Sequence, residues 1–423
     1  SPLLDLLVRP CLIFYYIIVV VMFMKFIIIF LMSFFLVGCK EKEIVIPDEV
    51  KLEIKSDSIE VFSDAHFYDL IGDTNVKVTT ENKLLDTDKI GTHDLNLEFE
   101  FEGKKYKKQI DYTVVDTHAP VYISAPTSRT IKVNDDYYPC DEIVFGDNYD
   151  RNPSCEISGE FDLTTTGNYK VEYVIKDTSG NEKRKNLNIN VVDAISSSNS
   201  NNKNTVTLPL INVIESKKND NTMIGIDVSR WQENIDFEKV KNAGVEFVIM
   251  RMGINSDIDK DISMDTYFKQ NIEGARNAGL KVGIYVYSAA TSKEKAREHA
   301  EWTIDALDNM PLDFPIAFDW ENWSKFRKYG ISIHDLEETF NEFARVINSS
   351  GYETMLYSSK FYLENIWQNK HKYPVWLAHY TNETNYEGDY FLWQMTNVGR
   401  VDGINGNVDI DILYKNKTSL DLN

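Results

Sequence analysis

The feature that most limits the possible fold is an alternation of short apolar runs with helical patterns from Met223 onwards. The apolar runs, each with the composition of a buried strand, span residues 224–228, 247–252, 282–287, 314–318, 355–357, 375–378, 391–394 and 408–413. Helical patterns separate the earlier runs at 264–278, 293–307 and 333–348. Repeated strand–helix units predict a parallel-stranded barrel or a doubly wound sheet. Because the last runs are joined by short segments without clear helices, we expect an irregular α/β barrel over residues 222–416.

Residues 44–193 have a different pattern, in which apolar and polar side chains alternate along short runs broken by Gly, Asn and Asp. Segments 95–101 and 169–174 are examples. A period of two indicates half-buried strands, and the spacing of these runs is typical of β-sandwiches. We therefore expect two all-β domains, at 44–116 and 117–193.

A weak internal repeat supports this division. Residues 91–116 are echoed by residues 167–193, since each segment begins with Gly and ends in Val-Val-Asp. The second copy also carries Asp-Thr-His-Ala-Pro from Asp116 and Asp-Thr-Ser-Gly-Asn from Asp177. Together these motifs resemble the Ig-like repeats of bacterial surface proteins, and the resemblance implies two Ig-like sandwiches.

The N-terminal segment predicts export. Residues 11–38 are apolar except for Lys25, and a lysine near the centre of a membrane span is costly. A signal peptide that starts at Met24 fits better, with Lys25 as its basic part and residues 26–37 as its apolar core. An uncleaved anchor helix is the alternative.

The end of this segment resembles a bacterial lipobox. Leu-Val-Gly-Cys ends at Cys39 and is followed by a polar run. The resemblance implies cleavage before Cys39 and attachment of a lipid to it, which would hold the protein on the membrane. Residues 1–43 are thus assigned to an upstream segment and anchor. Either form of anchor places the rest of the chain outside the cytoplasm, at the cell membrane or cell wall.

The charge and the histidines exclude several classes of function. A net charge of -21 disfavours nucleic acid as a partner, because phosphate binding needs clustered Lys and Arg. The seven histidines show no metal-ligand spacing. His379 either lines a pocket or has a structural role. We expect neither a cofactor nor a metal.

Two further segments carry predictions of their own. Residues 194–221 contain a Ser- and Asn-rich stretch, show no convincing period, and are expected to form a flexible linker. Cys140 and Cys155 lie in β-structure that we expect to be exported, where a disulfide would persist. Two independent thiols are the alternative, since spacing alone does not fix geometry.

Acidic loops of the second β domain are open to two interpretations. Asp135, Asp136, Asp147 and Asp150 either ligate calcium or form solvated turns. A calcium loop supplies a series of oxygen ligands. No loop here shows a full series, so solvated turns are favoured.

Carboxylates follow the apolar runs of the predicted barrel. Asp227 ends the first run, Asp319 and Glu321 follow the fourth, and Asp409 and Asp411 belong to the last. Catalytic groups of parallel barrels lie at the carboxyl ends of the strands. Residues i and i+2 of a strand share a face, so Asp319 and Glu321 are expected to face one pocket. Two nearby carboxylates push their pKa values apart, which gives the acid and the charged group that glycoside hydrolysis needs.

Aromatic residues also concentrate at the predicted strand ends. Their flat faces can stack on pyranose rings while their polar tips bind hydroxyl groups. As a set at one rim, they favour sugar binding over a purely structural role. The candidate sugar-binding residues are Tyr285, Tyr287, Trp320, Tyr357, Trp376, Tyr380 and Trp393.

These pieces occur in an order that resembles glycoside hydrolase family 25, the muramidases with a flattened TIM-like barrel. The matching motifs are Gly225-Ile-Asp-Val-Ser with Trp231-Gln, Gly283-Ile-Tyr, Phe318-Asp-Trp-Glu, Leu356-Tyr, Trp376-Leu-Ala with Tyr380, Trp393-Gln and Val408-Asp. The resemblance covers residues 223–414, nearly the whole predicted barrel. It implies hydrolysis of peptidoglycan at the β-1,4 bond after N-acetylmuramic acid.

The resemblance also implies roles for individual residues. Glu321 would be the general acid/base, and Asp319 would either stabilise the transition state or orient the reacting N-acetyl group. Asp227 and Asp409 would shape the pocket. Asp411 stands where the family often has Asn, which implies a structural role for it.

Two other classes of function remain as alternatives. Chitinase-like barrels carry a longer D-x-x-D-x-D-x-E run, whereas residues 315–317 here are Pro-Ile-Ala. A surface protein that binds cell-wall glycan without cleaving it would not need the acid pair Asp319 and Glu321. The sequence therefore favours the muramidase.

Overall fold

The computed structural model describes residues 45–55, 58–195, 206–368 and 370–417. Cys39 and the predicted anchor segment lie outside the described residues, as do residues 196–205 of the predicted linker. In the part that is described, no helix is both long and apolar enough to cross a lipid bilayer. The chain forms two compact units. The first unit comprises the described residues up to Ile59 together with Ser63–Thr87 and Gly91–Val114. The second unit comprises Glu60–Phe62, Asp88–Ile90 and the described residues from Val115 onwards.

The first β region is built on a long hairpin. Its strands are β1 (Leu52–Ile54), β2 (Ile59–Glu60), β3 (Ile71–Thr74), β4 (Lys77–Val78), β5 (Gly91–Phe101) and β6 (Lys104–Val115). β1 pairs with β3, and a second sheet has the order β2-β6-β5-β4. Glu102 and Gly103 join β5 to β6, both with positive φ, as the right-handed twist of a two-residue hairpin requires. Leu97 and Phe99 on the inner face of β5 are fully buried.

The second β region has two further sheets. Its strands are β7 (Val121–Ser124), β8 (Ser128–Lys132), β9 (Val144–Gly146), β10 (Ser154–Ser158), β11 (Gly167–Lys176) and β12 (Glu182–Val192). β7 pairs with β9, and the larger sheet has the order β10-β11-β12-β8, in which β8 is parallel to β12. The alternation expected from the sequence holds on β12, where Leu187 and Ile189 are fully buried. A disulfide joins Cys140 to Cys155, with the Cα atoms 6.0 Å apart.

The C-terminal region is a closed eight-stranded barrel. Its strands, with two short additional ones, are β13 (Leu208–Pro209), β14 (Thr222–Val228), β15 (Phe247–Ile254), β16 (Ser263–Met264), β17 (Lys281–Tyr287), β18 (Ile316–Asp319), β19 (Thr354–Ser359), β20 (Val375–Ala378), β21 (Leu392–Arg400) and β22 (Val408–Tyr414). The ring runs β14-β15-β17-β18-β19-β20-β21-β22 and closes where β22 pairs with β14. Each of the eight apolar runs overlaps one strand of this ring, so the predicted barrel is confirmed. β22 departs from the parallel arrangement of the other strands, since it is antiparallel to both neighbours.

Helices cover the outside of the barrel. They are α1 (Leu210–Lys217), α2 (Phe237–Asn242), α3 (Phe268–Asn277), α4 (Lys293–Leu307), α5 (Phe326–Tyr329), α6 (Ile333–Ser349) and α7 (Lys360–Asn365). The Ser292 and Ser332 hydroxyls cap α4 and α6 by accepting hydrogen bonds from backbone N–H groups of their first turns. α3 begins later than the sequence predicts, because Ser263–Met264 instead forms β16 against β15.

The flexible-linker prediction for 194–221 is wrong for the described residues 208–217. Leu208 and Pro209 add a short parallel strand to β21. α1 then buries Leu210 and Val213 in the layer between strands and helices. These apolar side chains are too few to show a helical period next to the Ser- and Asn-rich stretch. Burying them against the barrel nevertheless favours a packed helix.

Alternation along the strands decides which side chains reach the barrel interior. On β14, Ile224, Ile226 and Val228 pack outwards against the helices, while Met223 packs inside. Asp227 has the same parity as Met223 and therefore points inwards. Gly225 lies between them, where any side chain would collide with the ring of Phe247 on β15. The apolar interior thus ends in a polar layer at the carboxyl edge of the strands.

Candidate active site

A pocket of about 280 Å³ opens at the carboxyl ends of the barrel strands. All four carboxylates predicted as catalytic line it, namely Asp227, Asp319, Glu321 and Asp409. Each carboxylate occupies one of the alternate strand positions whose side chains point into the barrel, or continues that alternation just beyond the end of the strand. The other lining residues are Val228, Ser229, Trp231, Gln232, Arg251, Tyr285, Tyr287, Tyr357, Trp376, Tyr380 and Gln394.

One wall of the pocket is a fixed hydrogen-bond network. Asp227 and Asp409 face each other across the antiparallel pair β14–β22. The Gln394 amide donates to Asp227 Oδ2 over 2.7 Å. The Gln394 carbonyl accepts from the Tyr357 and Tyr380 hydroxyls over 2.9 and 3.1 Å. Because both ends of the amide are engaged, Asp227 and the two tyrosines hold fixed positions.

The opposite wall contains Asp319 and Glu321. Asp319 is buried, and its Oδ1 has no hydrogen-bond partner among the described residues. Glu321 is accessible at the mouth of the pocket, although protein atoms surround most of its carboxyl group. An unengaged buried carboxylate oxygen beside an accessible carboxyl group is suited to contact a substrate directly.

Burial raises the pKa of both groups in this pair. The pKa of Asp319 is raised by burial and by the neighbouring Glu321, and Arg251 partly opposes that increase. The pKa of Glu321 is raised by burial. Since two such carboxyl groups resist carrying charge together, the state in which one of them holds a proton is favoured. Glu321, the accessible member, is the group that can deliver this proton to a substrate.

A second carboxyl set shares the far wall. Burial, with Asp409 and Asp411 nearby, raises the pKa of Asp227 well above its usual value. Burial raises the pKa of Asp409 to about 6, and Glu321 adds to the increase. The Trp376 indole N–H donates to Asp411 Oδ1 over 2.8 Å, so fully buried Asp411 holds the pocket floor. A structural position for Asp411 agrees with its expected role.

Arg251 supplies positive charge beside these carboxylates. It lies on β15 with inward parity and binds the buried Asp265 through Nε and Nη2, over 2.7 and 2.6 Å. The side chains are 7% and 1% exposed, so this ion pair is shielded from water. Sequence analysis missed Arg251, although an arginine within the apolar run 247–252 was a visible signal.

Five of the seven predicted sugar-binding aromatics line the pocket, and two do not. Trp320 is buried outside the strands, where its indole donates to the Ala290 carbonyl over 2.9 Å. Trp393 is likewise buried, with its indole on the His379 carbonyl at 2.9 Å. Both alternate with inward-facing neighbours, Glu321 and Gln394, so their side chains point to the helix layer. The sugar-binding prediction is therefore wrong for Trp320 and Trp393.

Other residues at the rim were missed or left open by the sequence. Trp231 lies at the pocket and is 71% exposed, with Arg230 stacked on its ring at 4.9 Å. Ser229 caps the short turn that carries Trp231. His379 is not among the pocket-lining residues, and its Nδ1 lies 2.9 Å from the Thr384 hydroxyl. This favours the structural role that the sequence left open for His379.

Comparison with known proteins supports the assignment of the barrel. Residues 226–404 match the sequence profile of Glycosyl hydrolases family 25. The chain is 31% identical over 191 residues to the autolytic lysozyme of Clostridium acetobutylicum, which covers 45% of this chain and 55% of that protein. It is 30% identical over 195 residues to the uncharacterized protein YegX of Escherichia coli O157:H7, covering 45% of this chain and 69% of YegX.

Among solved structures, the chain is similar to the modular autolysin LytC of Streptococcus pneumoniae, determined in complex with a synthetic peptidoglycan ligand. The sequence identity is 26% and the TM-score is 0.43, with 57% of this chain and 56% of LytC covered. This chain thus spans little more than half the length of LytC or of the clostridial lysozyme.

A closed barrel with paired carboxylates at the carboxyl ends of its strands is the arrangement expected of a glycoside hydrolase. The profile match and the share of YegX that is covered show the family, and the chain belongs to glycosyl hydrolases family 25.

Proposed function

We propose that this protein is an N-acetylmuramidase that hydrolyses the β-1,4 bond between N-acetylmuramic acid and N-acetylglucosamine in peptidoglycan. The observation that carries the proposal is the pair Asp319 and Glu321, both with raised pKa values, in an open pocket lined by aromatic side chains. Relatives described as lysozymes give the choice of substrate.

Glu321 acts as the general acid and then as the general base. Its raised pKa favours the protonated carboxyl group, which protonates the glycosidic oxygen as the bond breaks. The deprotonated Glu321 then takes a proton from the incoming water. Its position at the mouth of the pocket makes the leaving oxygen accessible to it.

Asp319 supplies negative charge where the sugar ring becomes positive. Its free Oδ1 lies in a buried site, where a charge interacts more strongly than in water. Arg251 favours the ionised form of Asp319, whereas burial and Glu321 oppose it. When Glu321 has given up its proton, the negative charge of Asp319 and the positive charge of Arg251 remain in fixed positions. Asp227 and Asp409 shape the opposite wall through the Gln394 network.

Four tyrosine side chains form the sugar-binding surface, and the buried Trp376 lies at its floor. Tyr357 and Tyr380 have their hydroxyls fixed on Gln394, so their rings present constant faces to a pyranose. Tyr285, Tyr287 and Trp376 line the pocket beside them. Rigid aromatic faces bind sugar rings without losing side-chain freedom.

Digestion of purified peptidoglycan by the full chain tests the proposal. Mass spectrometry of the reduced fragments is expected to show N-acetylmuramic acid at the new reducing ends. Glu321→Gln, which keeps the shape of the side chain but cannot donate a proton, should abolish their release. Glu301→Gln on the exposed face of α4 is the matched control and should release the same fragments as the wild type.

Two other outcomes would contradict the proposal. Reducing-end N-acetylglucosamine would assign the barrel to another glycosidase specificity. Retention of the protein on peptidoglycan without release of any fragment would assign it to glycan binding alone.

The N-terminal regions are proposed to carry the barrel on the cell surface. The Leu-Val-Gly-Cys motif ending at Cys39 supports a lipid anchor, and the repeated hairpins β5–β6 and β11–β12 support two Ig-like spacers. The anchor would hold the enzyme at the outer face of the membrane while the spacers extend it into the wall. Cell fractionation of Cys39→Ala tests this arrangement. The variant should leave the membrane fraction, and an unchanged distribution would contradict the lipid anchor.

A further inference from the structure

Three carboxylates converge in the second β region, away from the barrel pocket. Asp116, Asp147 and Asp177 each place one oxygen within 4.8 Å of the others. All three are buried, and Asp147 is fully so. The solvated turn expected for Asp147 from the sequence is therefore wrong, whereas Asp135 and Asp136 are exposed as expected.

The hydrogen bonds of these carboxylates come from neutral donors. Asp147 Oδ2 accepts from the backbone N–H groups of Tyr149 and Asp150, over 2.9 and 2.7 Å. Asp177 accepts from the backbone and side chain of Asn181. Asp116 accepts from the His118 backbone, from the Asn148 amide and from the Ser179 hydroxyl. Neutral donors orient the carboxylates but do not balance their charge.

A neighbouring histidine does not balance this charge either. His118 places its ring beside Asp116. It pairs with Glu60 over 2.9 Å and is itself 60% exposed, so its charge is matched by another carboxylate. Burial raises the pKa of Asp147 to about 6, and Asp116 and Asp177 add to that increase. Three buried carboxylates in one place need a positive partner.

Two buried oxygens at this place have no partner in the described part of the chain. One is Asp147 Oδ1, on the side of the carboxylate that the loop amides leave open. The other is the side-chain oxygen of Asn148, a residue that is 6% exposed. The Asn148 amide nitrogen lies 3.1 Å from Asp116 Oδ1, so a half-turn of that amide brings its oxygen to the carboxylates.

We propose that Asp116, Asp147 and Asp177 bind one calcium ion, with the Asn148 side-chain oxygen as a fourth ligand and water completing the shell. Calcium takes six to eight oxygen ligands at about 2.3–2.6 Å. Two oxygens of one such shell lie at most about 4.6–5.2 Å apart, so carboxylate oxygens that all lie within 4.8 Å of one another can share an ion. An all-oxygen set of carboxylates and an amide is typical of calcium or magnesium rather than of zinc or copper. Irregular loop ligands favour calcium, because magnesium demands an octahedral shell.

The ion would also stabilise the attachment of the second β region to the barrel. The Asp147 carbonyl accepts from the Ile333 N–H over 2.7 Å, and the Asn148 carbonyl from the His334 N–H over 3.3 Å. Arg151, three residues after Asn148, binds Asp335 through two hydrogen bonds of 2.7 and 2.8 Å. The loop that holds the carboxylates therefore contacts the first turn of α6. Calcium that orders this loop would protect the same contacts.

Calcium titration of the metal-free full chain tests the site. After EDTA treatment and removal of the chelator, isothermal titration with calcium chloride should show one ion per chain, with a Kd on the order of 10⁻⁵ to 10⁻³ M. Asp147→Asn should weaken binding at least about 10-fold, and the matched exposed control Asp135→Asn should bind like the wild type. Asp177→Asn provides a second variant with the same expectation.

Thermal unfolding separates loss of the site from a damaged fold. In EDTA, Asp147→Asn should unfold at the same temperature as the wild type or higher, because it removes one uncompensated buried charge. Calcium should then raise the unfolding temperature of the wild type alone. Hydrogen exchange at the Ile333 and His334 amides should slow with calcium in the wild type and not in the variant.

Three results would overturn the proposal. One is the absence of calcium binding to the wild type at 10-fold above the weakest expected Kd, about 10 mM. Another is equal calcium affinity of Asp147→Asn and the wild type. Magnesium binding as tight as calcium binding would overturn the choice of ion.

Discussion

Two clusters of carboxylates in this protein, one open to a pocket and one buried in a loop, differ in what surrounds them. In the barrel, Asp319 and Glu321 face a pocket of about 280 Å³ with aromatic walls and a buried arginine. In the second β region, Asp116, Asp147 and Asp177 face one another within 4.8 Å and receive hydrogen bonds from neutral groups. No three carboxylates of the barrel pocket are close enough to share an ion among the described residues.

This comparison shows that the surroundings of a carboxylate decide its chemistry. A raised pKa beside an accessible pocket gives a proton donor, because a substrate can reach the proton. The same increase in a closed loop cluster only reports uncompensated charge, which a cation relieves. Asp319 and Asp147 are both buried aspartates, so the openness of the site and the distances between its carboxylates distinguish the two clusters.

The largest expected effect concerns the barrel cluster. Glu321→Gln should lower kcat for peptidoglycan hydrolysis by about 10³-fold, within the range typical for loss of a general acid. Initial rates of reducing-end release measure the effect. Asp147→Asn, assayed alongside, should keep a kcat within about twofold of the wild type. A comparable loss in both variants would erase the distinction between the clusters.

The buried arginine is the next test, because only the barrel cluster has such a partner. Arg251→Met leaves Asp265 buried without its ion pair and should lower the free energy of unfolding by about 3 kcal/mol. Urea unfolding followed by tryptophan fluorescence measures this, since all seven tryptophans lie in the barrel. Lys239→Met removes an ion pair of the barrel whose side chains are 59% and 45% exposed and should have little effect. Equal effects of the two substitutions would contradict the burial argument.

Asp409 predicts a pH dependence of stability. Its pKa is raised from 3.8 to about 6 in the folded protein, so its protonated form stabilises the fold below pH 3.8 and this contribution is lost as pH rises through about 6. Asp409→Asn should remove that loss and, relative to the wild type, stabilise the barrel at pH 8 by about 1 kcal/mol. Full burial would give about 3 kcal/mol, but Asp409 is only half-buried. Urea unfolding at pH 4 and pH 8 checks this, and a stability difference that does not change with pH would contradict it.

The smallest expected effect concerns the rim of the pocket. Trp231→Ala removes an exposed ring at the pocket and should raise KM about 2- to 10-fold with little change in kcat, as expected for lost stacking. Phe361→Ala, an exposed ring of the barrel that does not line the pocket, should leave KM unchanged. A lower kcat in Trp231→Ala would place this ring in the chemical step instead of in sugar binding.

Much of the barrel could be predicted because its strands are buried on both faces. Each apolar run stands out against polar loops, and the eight runs became eight strands. The acid residues could be found because they interrupt apolar strands near their carboxyl ends. Trp320 was misplaced although the expected pairing of Asp319 with Glu321 already puts it on the opposite face, whereas Trp393 was misplaced because its apolar strand hides which face points inwards. The inward face follows once Asp319 and Gln394 are seen to point into the pocket.

Other features depend on contacts between distant segments. Asp147 was expected in a solvated turn because its loop shows no full series of oxygen ligands, but the turn contacts α6 and the loop at Asp177. Arg251 was missed because its partner Asp265 lies beyond the end of β15. α1 was missed because it has too few apolar residues to show a helical period. The helix is stabilised by packing these residues against the barrel.

A crossed experiment tests the central claim most directly. Peptidoglycan hydrolysis and the calcium-dependent shift in unfolding temperature are measured for the wild type, Glu321→Gln and Asp147→Asn. The account predicts that Glu321→Gln loses hydrolysis and keeps the calcium shift, while Asp147→Asn keeps hydrolysis and loses the shift. Hydrolysis by Glu321→Gln at the wild-type rate, or an unaltered calcium shift in Asp147→Asn, would contradict it.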